Sequence, residues 1–291
     1  MNFPVVTFFM IVTDPDIVIA DYSIRSYAKI TDLPFRLRVY SNWVSSSLKK
    51  RYFADWVALP FVDLQENEWQ TDAAKPNGPG LEGPYEKGAA IWDRELQKLE
   101  TPFFATVDAD FEILDAEFIS VMLDRFAANP NLVALATDRN STMPRYYDTY
   151  TDRVICLQER LGTWFCIYRR EAQRCTVSHL SHEERDADSP YPKVWDDGGR
   201  FQKALRETYG YELDVLDAKY SSCFIHYGAF SKNCDLDARN IGLYRRLRIL
   251  ARRGIFRRRN SWINILFRGF VFFIILKLMY GHVDRSKYWN Q

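Results

Sequence analysis

The chain is expected to fold as an α/β domain built on a mostly parallel sheet flanked by helices. Three observations predict this. Short apolar runs rich in β-branched and aromatic residues recur through the first half of the 291-residue chain. Segments with apolar residues at helical spacing separate them. The first run, Val5–Thr13, has no polar interruption beyond its threonines, as in a strand covered on both faces.

Taken in order, Val5–Thr13 is the opening core strand. Asp14-Pro15-Asp16 then starts a helix to about Ile30, with proline early, where its missing N–H costs nothing. Phe35–Tyr40 is a second strand, Ser45–Phe53 a short helix and Trp56–Val62 a third strand. Residues 63–84 are polar and centred on Asn77-Gly78-Pro79-Gly80, the composition of a mobile loop. Tyr85–Leu99 sets Ala89, Trp92, Leu96 and Leu99 on one helical face. Pro102–Val107 is a strand, Phe118–Ala128 a helix and Leu132–Ala136 a strand. The later half is less regular. Trp164–Tyr168 and Ser222–Tyr227 read as strands, and Asp196–Tyr209 as a helix after a glycine pair. Ser178–Pro192 reads as a polar loop in which His179 and His182, beside Glu183 and Glu184, face solvent; the alternative is a loop that closes over an acceptor. No internal repeat is present.

A hydrophobic content of 47% is enough for a sizeable core, so a disordered chain is excluded. Aromatic content of 15% is high and suits a deep or membrane-facing surface. The net charge of +1 hides an asymmetry: from Arg239 onward there are 13 Lys/Arg and one acid, Asp284. Residues 1–238 therefore form an acidic domain, and 239–291 a basic, apolar helical appendage suited to an anionic partner. The five cysteines are scattered without metal-type pairing, which points to reduced thiols in the cytoplasm. The N-terminus lacks the basic flank of a signal peptide, and its apolar run is too short to span a bilayer.

Asp108-Ala109-Asp110 is the triplet richest in chemistry. It stands where an apolar strand emerges, and strand ends are where open α/β sheets bind ligands. Two carboxylates so close need a cation or donors between them. Hard divalent ions such as Mg²⁺ and Mn²⁺ prefer such oxygen ligands and share them with substrate phosphates. Asp14 and Asn42 also follow strands, so the three positions are expected to line one crevice. The bland alternative is a pair of surface loop acids.

The order of parts over residues 3–232 resembles the GT-A nucleotide-sugar glycosyltransferases, especially family 2-like members. Val5–Thr13 resembles their nucleotide-binding strand, and Tyr85–Leu99 the helix before the metal motif. Val107-Asp108-Ala109-Asp110 resembles the Asp-x-Asp strand, and Gly162–Arg170 the later strand entering an Arg-Arg helix start. Trp195-Asp196-Asp197 resembles the acidic acceptor-side motif, and His226-Tyr227-Gly228 the late metal-binding histidine.

The resemblance implies a GT-A fold and transfer of a single sugar from a nucleotide-diphosphate donor, a UDP-sugar foremost. It implies Mn²⁺ or Mg²⁺ on Asp108, Asp110 and His226. Thr13, Asp14, Asn42, Asp93, Arg94, Asp108 and Lys232 are the implied nucleotide-sugar contacts, and Asp197, then Asp196, the implied catalytic bases. Asp196 and Asp197 have a second reading as caps of the following helix. Where the family carries an Asp after its second strand, this chain has Ser41-Asn42; where it carries Arg-Asn, this chain has Trp92-Asp93, with Arg94 offset by one. The Gln-x-x-Arg-Trp signature of processive synthases is absent, which favours single transfer.

Residues 243–259 interleave arginines with apolar residues, and Ile263–Tyr280 is strongly apolar, broken by Arg268 and Lys277; its uninterrupted stretch Gly269–Leu276 is far shorter than the roughly 20 residues of a spanning helix. This suits an interfacial helix on anionic lipid at the cytoplasmic membrane face. The alternative is helices packed on the body. Nucleic acid is not an expected partner. A lipid-linked or envelope-glycan acceptor follows from that location, with a place in polysaccharide or lipopolysaccharide biosynthesis. The rival readings are a nucleotidyltransferase, disfavoured because no Gly-rich Arg-containing loop lies near the N-terminus, and a non-catalytic membrane-peripheral scaffold.

Overall fold

The structure is a computed structural model that describes residues 4–42, 44–66, 88–139, 145–148, 153–156, 160–180, 182–184, 193–195 and 197–227. Asp196, Lys232, the appendage 239–291 and most of the expected mobile loop lie outside the described residues. Strand β1 (Val6–Val12) leads through a proline-containing 3-10 turn into helix α1 (Ile17–Ser26). Then come β2 (Phe35–Ser41), α2 (Ser46–Val57), β3 (Val62–Glu66), α3 (Gly88–Leu96) and β4 (Phe103–Asp108). They are followed by β5 (Phe111–Ile113), α4 (Glu117–Ala128) and β6 (Leu132–Ala136). Short strands β7 (Arg145–Asp148) and β8 (Arg153–Cys156) precede β9 (Phe165–Arg169). The remaining elements are β10 (His182–Glu184), β11 (Lys193–Trp195), α5 (Gly199–Glu207), β12 (Glu212–Val215) and β13 (Phe224–His226).

The main sheet has seven strands in the order β12-β6-β9-β4-β1-β2-β3. Every strand is parallel to the rest except β9, which runs antiparallel to both β4 and β6. The expected α/β class with a mostly parallel sheet is therefore what the chain adopts. A second sheet has the order β10-β11-β8-β7, and β13 and β5 form a two-stranded sheet.

Alternation along β1 explains how the sheet is covered. Phe8 and Met10 point into one buried cluster with residues of α1, α2 and α4, whereas Phe9 points into another with residues of α3 and α5. Both faces are thus apolar, and each fully buried Phe contributes roughly 1.5–3 kcal/mol.

Three expectations need correction. Trp56 does not open a strand: α2 continues to Val57, and β3 starts only at Val62. Tyr52, Phe53 and Trp56 recur at helical spacing and are all buried, and the Trp56 indole N–H donates to Asp21 at 2.9 Å. Burial of that helical face outweighs the β-propensity of the tryptophan. Residues 63–66 belong to β3 instead of the loop, because they extend the sheet edge beside β2. The polar stretch 178–192 contains β10, paired with β11, which in turn pairs with the distant β8; such a partner leaves no mark in local composition.

Candidate active site

The site begins with strand order. β4, β1 and β2 are adjacent and parallel, with Ile11 opposite Asp108 and Val12 opposite Ser41. Residues leaving these strands, namely Asp108, Thr13, Asp14 and Asn42, therefore stand along one sheet edge. Asn42 is buried and donates its backbone N–H to Val12 O at 2.8 Å. Asp14 accepts the Ser45 backbone N–H at 2.6 Å, tying the loop after β1 to the start of α2. The Thr13 hydroxyl donates to Asp16.

Beyond Asp108 the chain turns through Ala109-Asp110 and enters β5. β13 pairs with β5 so that His226 stands opposite Phe111, next to Asp110 in sequence. This brings His226 Nε2 to 3.5 Å from Asp108 Oδ2 and 3.4 Å from Asp110 Oδ1. One ligand atom from each of the three residues lies within 4.8 Å of the others. The Asp110 side chain is 8% exposed and that of Asp108 is 43% exposed, so one side of the cluster is sealed and the other open.

Burial opposes a charge on His226, but hydrogen bonds and charge from Asp108 and Asp110 outweigh it and raise its pKa to about 9. Two carboxylates and an imidazole, open on one side, form a donor set that fits a Mn²⁺ or Mg²⁺ ion sharing oxygen ligands with a substrate. The triad rests on aromatic rings. Phe111 stacks on Phe165 at 4.6 Å and on Phe224 at 5.1 Å, and Trp164 stacks on the His226 imidazole at 4.9 Å with planes 11° apart.

Asp93 and Arg94, expected at the nucleotide, have partners within the protein. Asp93 accepts the His179 backbone N–H at 3.0 and 3.1 Å, the Ser178 hydroxyl, and His179 Nδ1 at 2.5 Å. Arg94 lies 3.3 Å from the buried carboxylate of Glu95, which also pairs with Arg38 and Lys98. His179 is not the solvent-facing histidine expected. It is 0% exposed and stacks on Phe201 of α5 at 3.7 Å. Its flanks, Val177 and Leu180, pack against the core on the α3/α5 face, and that apolar bracket is the signal local polarity obscured.

His179 also reaches the acidic motif. Its carbonyl accepts the Gly198 N–H at 2.6 Å, and Gly198, with φ 79°, is the residue before α5. Asp197, half-buried, is thus held just upstream of the helix, and Gly198 in the left-handed region makes the turn into it. Among the sequence candidates the structure therefore brings together Asp108, Asp110 and His226. It sets Thr13, Asp14 and Asn42 on the same sheet edge and commits Asp93 to His179.

No family model matches the chain, and no curated protein matches it. Solved structures similar to it include the mannosyltransferase PcManGT from Pyrobaculum calidifontis in complex with GDP-Man and Mn²⁺. That pair shares 13% identity over 98% of this chain and 71% of the other, with a TM-score of 0.47. TarS from S. aureus in complex with UDP-GlcNAc shares 14% identity over 97% of this chain and 74% of the other, with a TM-score of 0.44. Glucosyl-3-phosphoglycerate synthase from Mycobacterium tuberculosis, in complex with Mn²⁺, UDP and glucosyl-3-phosphoglycerate, shares 12% identity over 86% and 78% of the two chains, with a TM-score of 0.42.

Proposed function

We propose that this chain is a metal-dependent glycosyltransferase that moves a single sugar from a nucleotide-diphosphate donor, a UDP-sugar foremost, to a lipid-linked or envelope-glycan acceptor. The observation that carries the reading is the convergence of Asp108, Asp110 and His226 at the edge where parallel strands end. Mn²⁺ or Mg²⁺ bound there would neutralise charge on the departing diphosphate. Asp110, sealed on its inner side, anchors the ion; the more exposed Asp108 meets both ion and donor. Thr13, Asp14, Asn42 and Lys232 are assigned to the nucleotide sugar. Asp197, seconded by Asp196, is assigned to remove the acceptor hydroxyl proton.

The appendage 239–291 is assigned to the anionic inner face of the membrane, where residues 243–280 lie in the interface. Its charge supports this. A lipid-linked acceptor of polysaccharide or lipopolysaccharide biosynthesis would be found there.

The reading is tested by thermal stabilisation of the full chain with a panel of nucleoside diphosphates, with and without Mn²⁺, beside Asp110→Ala. A Mn²⁺-dependent shift with one nucleotide, lost in the variant, is the expected result. A folded protein that responds to none of them would leave the donor site without support.

A further inference from the structure

We infer that Trp164, seated by Gly162, is the positioning residue that holds His226 toward the two carboxylates. The inference rests on the metal-site reading and adds to it a device outside the ligand set.

Three contacts carry it. The Trp164 indole lies nearly parallel to the His226 imidazole, with centroids 4.9 Å apart. Its carbonyl accepts the Asp108 backbone N–H at 3.0 Å, so the same residue braces two members of the cluster. Gly162 lies against the indole: a Cβ there would fall 2.3, 2.4 and 2.7 Å from Cζ2, Cε2 and Cη2. Three such similar distances place that point over the face of the six-membered ring, since a point beyond its rim would be near one atom and far from its neighbours. Any side chain at 162 must therefore swing the indole away.

The imidazole needs such help. β13 holds only three residues, and His226 is the last of them. A ligand at a strand terminus has rotational freedom that its backbone does not remove. Stacking against a fixed ring limits that freedom and presents Nε2 to Asp108 and Asp110. Groups that orient a ligand in this way typically change metal affinity by roughly 10–100-fold when lost.

The test measures Mn²⁺ affinity of the full chain by the electron paramagnetic resonance of free Mn²⁺. It compares wild type, Gly162→Ala, Trp164→Phe, Trp164→Ala and the ligand-loss control Asp110→Asn, with folding checked by circular dichroism. Gly162→Ala and Trp164→Ala are expected to bind about tenfold more weakly, and Trp164→Phe, which keeps an aromatic face, within about threefold of wild type. Mn²⁺ should also quench indole emission in wild type more than in Trp164→Phe, because the stacked ring adjoins the ligand. Equal affinity in Gly162→Ala, Trp164→Ala and wild type overturns the inference and leaves the metal site standing. Absence of Mn²⁺ binding by folded wild type overturns both. Gly162→Ala adds one methyl group and decides the matter even if Trp164→Ala does not fold.

Discussion

His179 Nδ1 lies 2.5 Å from Asp93 Oδ1, joining residues 86 apart in sequence. The bond fastens α3, the helix before the Asp108 strand, to the segment whose carbonyl holds Gly198 next to Asp197. His179→Leu removes the ring donor and leaves the Asp93 carboxylate short of a partner. Urea unfolding should show a loss of roughly 1–3 kcal/mol, with His179→Asn losing less because its amide keeps a donor near the Nδ1 position.

The same pair sets a response to acid. Burial raises the Asp93 pKa, but hydrogen bonds from His179 and Ser178 outweigh it and hold the carboxyl below its ordinary value of 3.8. A depressed carboxylate stabilises the fold above its unfolded pKa and ceases to do so as pH falls through the folded one. The stability advantage of wild type over Asp93→Asn should therefore be constant above about pH 4 and shrink below it. A difference that grew on acidification would contradict the assignment.

His226 acts in the opposite direction. Without metal its pKa rises from 6.5 to about 9, so its ion pairs stabilise the protein fully below pH 6.5 and are lost as pH climbs through 9. The melting temperature of metal-free wild type relative to His226→Gln should fall across that interval. Mn²⁺ affinity should rise across it, because the imidazole must shed its proton to become a ligand. Calorimetric titration at several pH values checks both signs.

Phe111 links core to site. It is fully buried between Phe165 and Phe224, on the strand that pairs with His226. Phe111→Ala should cost about 3–5 kcal/mol and weaken Mn²⁺ binding as well, since β5 and β13 lose their common support. Denaturant midpoints and metal titration on the same sample separate the two effects.

Binding of the full chain to vesicles containing an anionic phospholipid should be strong at low salt. It should weaken as the Debye length contracts from about 10 Å at 0.1 M toward about 3 Å at 1 M. Co-sedimentation with neutral vesicles is the control, and salt-independent binding to both would refute the electrostatic part of the membrane proposal.

Much of this was legible in sequence because the signals were local. Val5–Thr13, Leu132–Ala136 and the helix face of Ala89, Trp92 and Leu96 declare themselves by period and composition, and Asp108-Ala109-Asp110 by its place at a strand end. Features set by distant partners were not. β11 is placed by its pairing with β8, earlier in the chain, and carries β10 with it; β5 is placed because β13 returns to it. His179 looked solvated because its immediate neighbours are polar, while the ring it stacks on, Phe201, comes later in the chain. Trp56 has the side chain of a strand residue, but its spacing from Tyr52 and Phe53 and the burial of all three decide for the helix.

Because β9 runs against its neighbours, the residues that enter it stand at the edge carrying Asp108, and those that leave it emerge at the far edge. The whole excursion from Ala136 to Phe165, with β7 and β8 within it, thus departs from and returns to the rim of the acidic cluster. Insertions in its middle, away from Leu161, Gly162 and Trp164, would change the excursion while leaving the support of His226 and the core residue Leu161 in place. That stretch is where a chain of this architecture can vary at least risk to folding.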